Sequence, residues 1–477
     1  MTRSVVVTAL CAWSVAVSGQ QPPDRSRPPA PGPPPVLKLP PVETRTLSNG
    51  LQVRVIGIHK VPTVHIELAV RAGVAADPSG KFGLASLTAD MLDEGAGGRS
   101  ALEIADAIDY LGAELTTGGG VDSAFVELHV PVARLADALP VMADVVARPT
   151  FPEAELNRLR EERLANLLEM QDDPEQTIQV AFPRLLFGDR HRYGTPVIGT
   201  AASIKGFTVA DLKAFHAANI RPSNAVLIVA GDVTADTVVP QLERAFAGWT
   251  PPAATAAAAR VGSAPANAGR RVFLIDKPGA AQSQIRIGMA GVPRSTPDYF
   301  ALRVLNTVLG EAFTSRLNSN LREVHGYAYG ASSRFDMRLE AGPFFAAAGV
   351  QTDKTADALK EFFVELTRIH EPVPADELEK AKNYLALLLP RSFESTRGTA
   401  DALAQAWVYD LPADYYTSYA DRVRAVTAAD VKRAADKYIL PDKLVVVIVG
   451  DRKTIEPGVK ALNLGPVSLI EPADIFK

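Results

Sequence analysis

The residues with the clearest chemical use are Arg322 and Tyr329, seven positions apart in the stretch 313–333. A guanidinium and a phenol held together offer hydrogen-bond donors and no base. Such a pair can steady an oxyanion developing on a substrate carbonyl, but it cannot activate a water or attack a carbonyl unaided. Bringing the two together takes a helix end, a turn and a strand. Phe313, Leu317 and Leu321 fall at i, i+4 and i+8, which predicts a helix with all three on one face, closed by Gly326 in the left-handed conformation. Tyr327-Ala-Tyr329 then opens a strand. Tyr327 shares a face with Tyr329 by period-two alternation and competes for the same role. An Arg at a helix end is more often simply solvated, and a strand Tyr more often core or rim.

The chain that must position this pair has 477 residues, 47% of them hydrophobic, which is far beyond one compact core and predicts two to four domains. A net charge of −4 without long basic blocks does not imply a nucleic-acid partner. At the N-terminus, Arg3 precedes an apolar run and then Ser18-Gly19, the layout of a secretory signal peptide over residues 1–19. An uncleaved anchor is the other reading. Cys11 lies inside this run and is the single cysteine, so removal of the signal leaves neither a disulfide nor a thiolate metal site. The expected location is exported and periplasmic. Residues 20–42 are crowded with proline and read as an extended tether. Residues 251–270, made mostly of Ala, Pro, Gly and Thr, read as a linker between two bodies, 43–250 and 271–477.

The two bodies repeat each other. Thr208-Val-Ala-Asp-Leu-Lys followed by Pro222-Ser-Asn-Ala-Val-Leu-Ile-Val-Ala-Gly-Asp232 recurs as Thr427-Ala-Ala-Asp-Val-Lys and Pro441-Asp-Lys-Leu-Val-Val-Val-Ile-Val-Gly-Asp451. The offset is constant, since 427−208, 441−222 and 451−232 all equal 219. With small drift, 63–70 answers 282–289, 123–130 answers 343–350, and the helix after Phe151-Pro152 answers the one after Val373-Pro374. The expected architecture is α+β, a unit of about 200 residues in tandem duplication.

This doubled layout resembles the pitrilysin/insulinase family of zinc peptidases, the inverted zincins. The resemblance covers nearly the whole mature chain. It rests on Leu47-Ser-Asn-Gly-Leu51, Gly83-Leu-Ala, His191-Arg-Tyr-Gly194 with Gly199-Thr200, Arg221-Pro-Ser-Asn-Ala225 leading to Gly231-Asp232, and Ser315-Arg-Leu317 with Leu321-Arg-Glu323. It implies two halves closing like a clamshell around a chamber. In active members Gly-Leu-Ala runs directly into H-x-x-E-H, two zinc-binding His one helical turn apart with the Glu as general base. Here the corresponding positions hold Ser86, Ala89 and Asp90. The window matching the third ligand, Asn166-Leu-Leu168, has no carboxylate, and Glu169 lies just outside it. None of the seven histidines (His59, His65, His129, His191, His216, His325, His370) stands one helical turn from another. His191 belongs to a loop motif and reads as structural. No cofactor is therefore expected in this chain, and no catalytic zinc.

The resemblance also implies roles for Arg322 and Tyr329, because the family's C-terminal half supplies an Arg and, seven residues on, a Tyr that contact the substrate carbonyl. Some bacterial relatives divide the work between two chains, one with the zinc motif and one with the Arg/Tyr pair. This chain reads as the second kind, whose partner would be a homologous H-x-x-E-H subunit carrying the zinc and whose substrate would be a peptide or unfolded polypeptide. A non-catalytic scaffold or peptide-binding homologue of the same fold is the alternative. An unrelated enzyme chemistry finds no support, since there is no phosphate loop, Ser/His/Asp set or Cys nucleophile.

Overall fold

The computed structural model describes residues 37–250, 261–264 and 268–476. The signal-peptide reading, most of the tether and much of the linker lie outside these residues. Each half is built on a six-stranded mixed sheet. The first half contains β1 (Val42–Thr46), β2 (Gln52–Gly57), β3 (Thr63–Val70), β4 (Glu114–Gly119), β5 (Ala124–Pro131) and β6 (Ala225–Gly231), in the order β1-β2-β6-β3-β5-β4. The second contains β7 (Arg271–Asp276), β8 (Gln282–Ala290), β9 (Ala328–Phe335), β10 (Pro343–Gln351), β11 (Val445–Gly450) and β12 (Val467–Ile470), in the order β12-β7-β11-β8-β10-β9. Five strands correspond one to one.

The sixth position does not correspond. β1 enters from the N-terminal side and pairs antiparallel with β2, whereas β12 arrives from the C-terminal side and pairs parallel with β7. One edge is thus covered in both halves by different pieces of chain.

The helices used below are α1 (Leu84–Asp90), α2 (Glu153–Asp172), α3 (Pro174–Phe187), α4 (Val209–Asn219), α5 (Tyr299–Asn306), α6 (Ala375–Leu388), α7 (Thr396–Val408) and α8 (Ala428–Tyr438). The constant offset has a local cause. α4 and α8 both begin with a capping box in which the Thr208 or Thr427 hydroxyl meets the backbone N–H of Asp211 or Asp430, and the Asp carboxylate reaches back. A single proline-led turn follows, and then the apolar strand β6 or β11.

Those two strands show no polar alternation because they are buried on both faces. On β6, Leu227 and Val229 enter the first core while Val226, Ile228 and Ala230 pack under α7, a helix of the second half. On β11, Val446 and Ile448 enter the second core, while Val445, Val447 and Val449 join the first-half cluster through α3. The halves therefore exchange helices. A polar node adds to this joint: buried Asp122 accepts from the Tyr193 hydroxyl at 3.1 Å, the Tyr409 hydroxyl at 3.2 Å and the Leu339 N–H at 2.9 Å. Tyr193 belongs to the His191-Arg-Tyr-Gly194 motif. His191 itself accepts from the Tyr193 N–H, stacks on Phe187 and meets the Gly262 carbonyl at 2.9 Å, so it is a structural residue.

The exchange makes a direct prediction. Ala400 is fully buried where α7 meets β6, so Ala400→Glu puts an unpaired charge in that joint and should cost about 3 to 5 kcal/mol. A thermal melt should show a large drop in midpoint, whereas Glu394→Ala, on the exposed turn before α7, should leave it nearly unchanged.

Candidate functional site

Arg322 and Tyr329 come together, by a route only partly legible in the sequence. The chain forms one helical turn, Arg316–Asn318, which widens into a π-helical turn, Ser319–Val324. Leu317 and Leu321 are fully buried, as their spacing implies, and Gly326 closes the segment at φ +65°. Phe313 departs from expectation. The helix starts only after Ser315, whose extended backbone leaves Phe313 outside it and 65% exposed. Its ring lies 4.6 Å from the Arg322 guanidinium, and the Tyr329 ring lies 5.2 Å from the same group. Arg322 is thus held between two aromatic faces, and its Nε pairs with Glu323 at 3.2 Å.

Tyr329 stands on β9, the edge strand of its sheet. The register with β10 jumps from Ala328↔Val350 to Ala331↔Ala348, so Tyr329 and Gly330 form a β-bulge. A bulge re-aims a side chain, and Tyr329 is 87% exposed. Tyr327, one step before the bulge, packs instead against the second core and stacks on His325 at 5.0 Å. The alternation that made it a rival is broken by the bulge. Two residues hold the arrangement, Asn318, not singled out in the sequence, and Arg316 of the Ser315-Arg-Leu317 motif. Buried Asn318 donates to the Phe313 carbonyl at 2.6 Å and accepts from the Ala331 N–H at 3.1 Å, tying the loop below Arg322 to the bulge beyond it. Arg316 grips Glu377 on α6 with two bonds, 2.8 and 2.7 Å, anchoring the whole turn.

Ser86, Ala89 and Asp90 lie on α1. This helix is seated by two glycines in the left-handed region, Gly83 and Gly199, packed so closely that a Cβ on Gly83 would come within 2.6 Å of Gly199. Asp77 accepts from the Gly83 and Ala85 N–H groups at 2.7 Å each, and burial nevertheless pushes its carboxyl up to about 7. Ser86 donates to the Val197 carbonyl at 2.7 Å. Arg163 of α2 reaches into the space between Ser86 and Asp90, donating to Ser86 Oγ at 3.0 Å, to Asp90 Oδ2 at 2.5 Å and to the Ile198 carbonyl at 3.1 Å. One buried guanidinium thus joins both residues, and it could have been found. Leu156, Arg163 and Leu167 are the buried positions of α2, a helical stripe with an arginine where an apolar residue belongs. On the same helix Asn166, Leu168 and Glu169 are exposed, so Glu169 faces away from Ser86 and Asp90, and Leu167 is the residue one turn beyond Arg163.

A model of the insulinase family, peptidase family M16, matches residues 54–200, and a model of the M16 inactive domain matches residues 206–385. An uncharacterised zinc protease of Mycobacterium leprae is 30% identical over 315 residues, 66% of this chain and 70% of its own length. The chain belongs to the M16 peptidase family. An uncharacterised zinc protease of Streptomyces coelicolor is 27% identical over 419 residues, 86% of this chain and 90% of its own. A crystal structure of a peptidase M16 inactive domain from Pseudomonas fluorescens matches with a TM-score of 0.80 at 28% identity, covering 86% of this chain and 98% of that one.

At Ser86, Ala89 and Asp90, the positions where the resemblance leads one to expect the zinc motif, the donor set does not fit the metal. It offers a hydroxyl already bonded on both sides, a methyl group, and a carboxylate paired with a guanidinium, whereas a catalytic zinc takes three protein ligands. Ser86→His, Ala89→Glu and Asp90→His introduced together should therefore leave zinc content at the parent's level while Arg163 remains. Adding Arg163→Ala and Leu167→Glu should raise it. Metal analysis after dialysis checks this, and tight zinc in the three-residue variant in excess of the parent's content would show that the guanidinium is no obstacle.

Proposed function

We propose that this chain is the subunit without a catalytic zinc in a two-chain M16 peptidase, in which a homologous partner supplies the catalytic zinc and general base and this chain supplies Arg322 and Tyr329. The observation carrying the reading is the contrast between the two halves. The α1 positions are locked by Arg163, while Arg322 and Tyr329 are set side by side at a bulged, exposed sheet edge. Chemically, the phenol donates its O–H to the oxygen of the scissile carbonyl as negative charge builds there, and the guanidinium adds a charged donor. The reacting water and its activation belong to the partner. The substrate is a peptide or unfolded polypeptide. Export through residues 1–19 puts the complex in the periplasm; no helix among the described residues is long and apolar enough to cross a membrane.

Purified alone, the protein should cleave no peptide, and activity should appear on mixing with an H-x-x-E-H homologue. Chelator-sensitive cleavage by a demonstrably pure single chain would overturn the proposal. In the active complex, Tyr329→Phe should lower kcat by roughly 10² to 10³ with assembly and KM nearly intact. Arg322→Ala should impair both kcat and KM, and Tyr327→Phe should do little. Full turnover with Tyr329→Phe would leave the scaffold reading as the better account.

A further inference from the structure

Strand β3 alternates between two environments. Val64, Ile66 and Leu68 enter the first core, so His65, Glu67 and Ala69 face the other way, toward exchanged helix α7. Pairing with β5 sets His65 opposite His129 and Glu67 opposite Glu127. Helix α7 lays Arg397 and Asp401, one turn apart, over this grid. His65, Glu127 and Asp401 each present a ligand atom, and the three atoms lie within 4.8 Å of one another. His65 Nε2 is 3.8 Å from Glu127 Oε2.

A second observation is independent of that proximity. His65 is fully buried, and neither of its ring nitrogens has a hydrogen-bond partner among the described residues. Glu67, 7% exposed, likewise leaves Oε2 without one. Buried polar atoms are costly when unpaired, so such a group asks for an explanation. The cation paired with the cluster is Arg397, 3.3 Å from Glu127 Oε2 and 3.8 Å from Glu114, with its side chain half exposed. The matching contact in the second half is differently charged. There Arg286 stands at the position 219 after Glu67, and Glu175 is the second residue of α3 as Arg397 is of α7. In that half one sheet cation faces one helix carboxylate, whereas in the first half three carboxyl groups and an open imidazole surround one arginine.

We infer that His65, Glu127 and Asp401 bind a divalent first-row transition cation, which pins α7 of the second half to the sheet of the first. A donor set of one imidazole and two carboxylates suits zinc, cobalt or manganese and gives magnesium or calcium less, since the imidazole is a poor ligand for them. Ligand atoms about 2.0 to 2.2 Å from a shared ion stand roughly 3.4 Å apart in a tetrahedral site, so small rotations of the Glu127 and Asp401 side chains complete it. Glu67, Glu127 and Asp401 also line the cleft of about 990 Å³ between the halves, which gives an ion a way in. Arg397 competes with the ion for Glu127 and swings toward Glu114 when the ion binds. This site is separate from the α1 positions and independent of the proposed catalytic pairing.

The test titrates the purified full chain with Zn²⁺ by calorimetry and with Co²⁺ by visible absorption, with Mg²⁺ as control. One equivalent of Zn²⁺ or Co²⁺ should bind and raise Tm. Asp401→Asn and His65→Ala should each weaken binding at least tenfold, Arg397→Ala should strengthen it several-fold, and Asp90→Asn should leave it unchanged. Should His65→Ala fail to fold, Asp401→Asn, at the partly open cleft wall, decides alone. Absence of binding to the parent chain, or binding by Asp401→Asn at the parent's affinity, overturns the inference.

Discussion

The exchange of one helix between the halves is the constraint on which the rest of the molecule depends. A sheet whose central strands are apolar on both faces cannot remain uncovered on either, and in each half the second cover comes from the other half, α7 over β6 and α3 over β11. The halves are therefore not two domains resting against each other. Their cores run into one another, and the cleft between them has walls set by the same packing. Asp122, shared by Tyr193 of its own half and by Tyr409 and Leu339 of the other, shows how far this goes. Burial raises its pKa while those three bonds oppose the shift.

Arg163 shows the same economy at α1. Helices α1 and α2 face each other across a polar gap lined by Ser86 and Asp90. A guanidinium fills that gap here, with fixed donors that reach Ser86, Asp90 and two backbone carbonyls, Gly83 and Ile198. Buried and hydrogen-bonded to both helices, it ties them together and offers nothing to a water or a carbonyl.

What was legible in the sequence was whatever local rules determine. The capping boxes at Thr208 and Thr427, the proline-led strands, the left-handed Gly326 and the buried Leu317 and Leu321 all follow from short-range chemistry, and the constant offset of 219 made the duplication plain. What was not legible depended on partners distant in the chain. Phe313 fits a helical spacing yet lies outside the helix, because Ser315 starts it later. Tyr327 loses its shared face with Tyr329 to a bulge created by Asn318 capturing the Ala331 N–H. Histidines one helical turn apart mark a metal site only where both ligands share a helix. His65 and Glu127 meet across two strands, and Asp401 arrives on a helix from the other half, a juxtaposition that no spacing reveals.

The exposure of Tyr329 bears on how such a pair can work at all. A phenol in bulk water competes with a solvent of high dielectric and stabilises a developing charge weakly; the same group in a closed, dry site is worth several kcal/mol. Tyr329 and Phe313 are among the most exposed large side chains of the described residues, and the cation between them is held by ring faces and a single carboxylate. The geometry is preorganised by Asn318, the bulge and the π-helical turn, so the donors are already positioned before anything binds. What is missing is the exclusion of water. For the proposed chemistry, a second surface would have to supply that by covering the edge of β9. That physical requirement, rather than the mere presence of an arginine and a tyrosine, ties the proposed chemistry of this chain to an assembly.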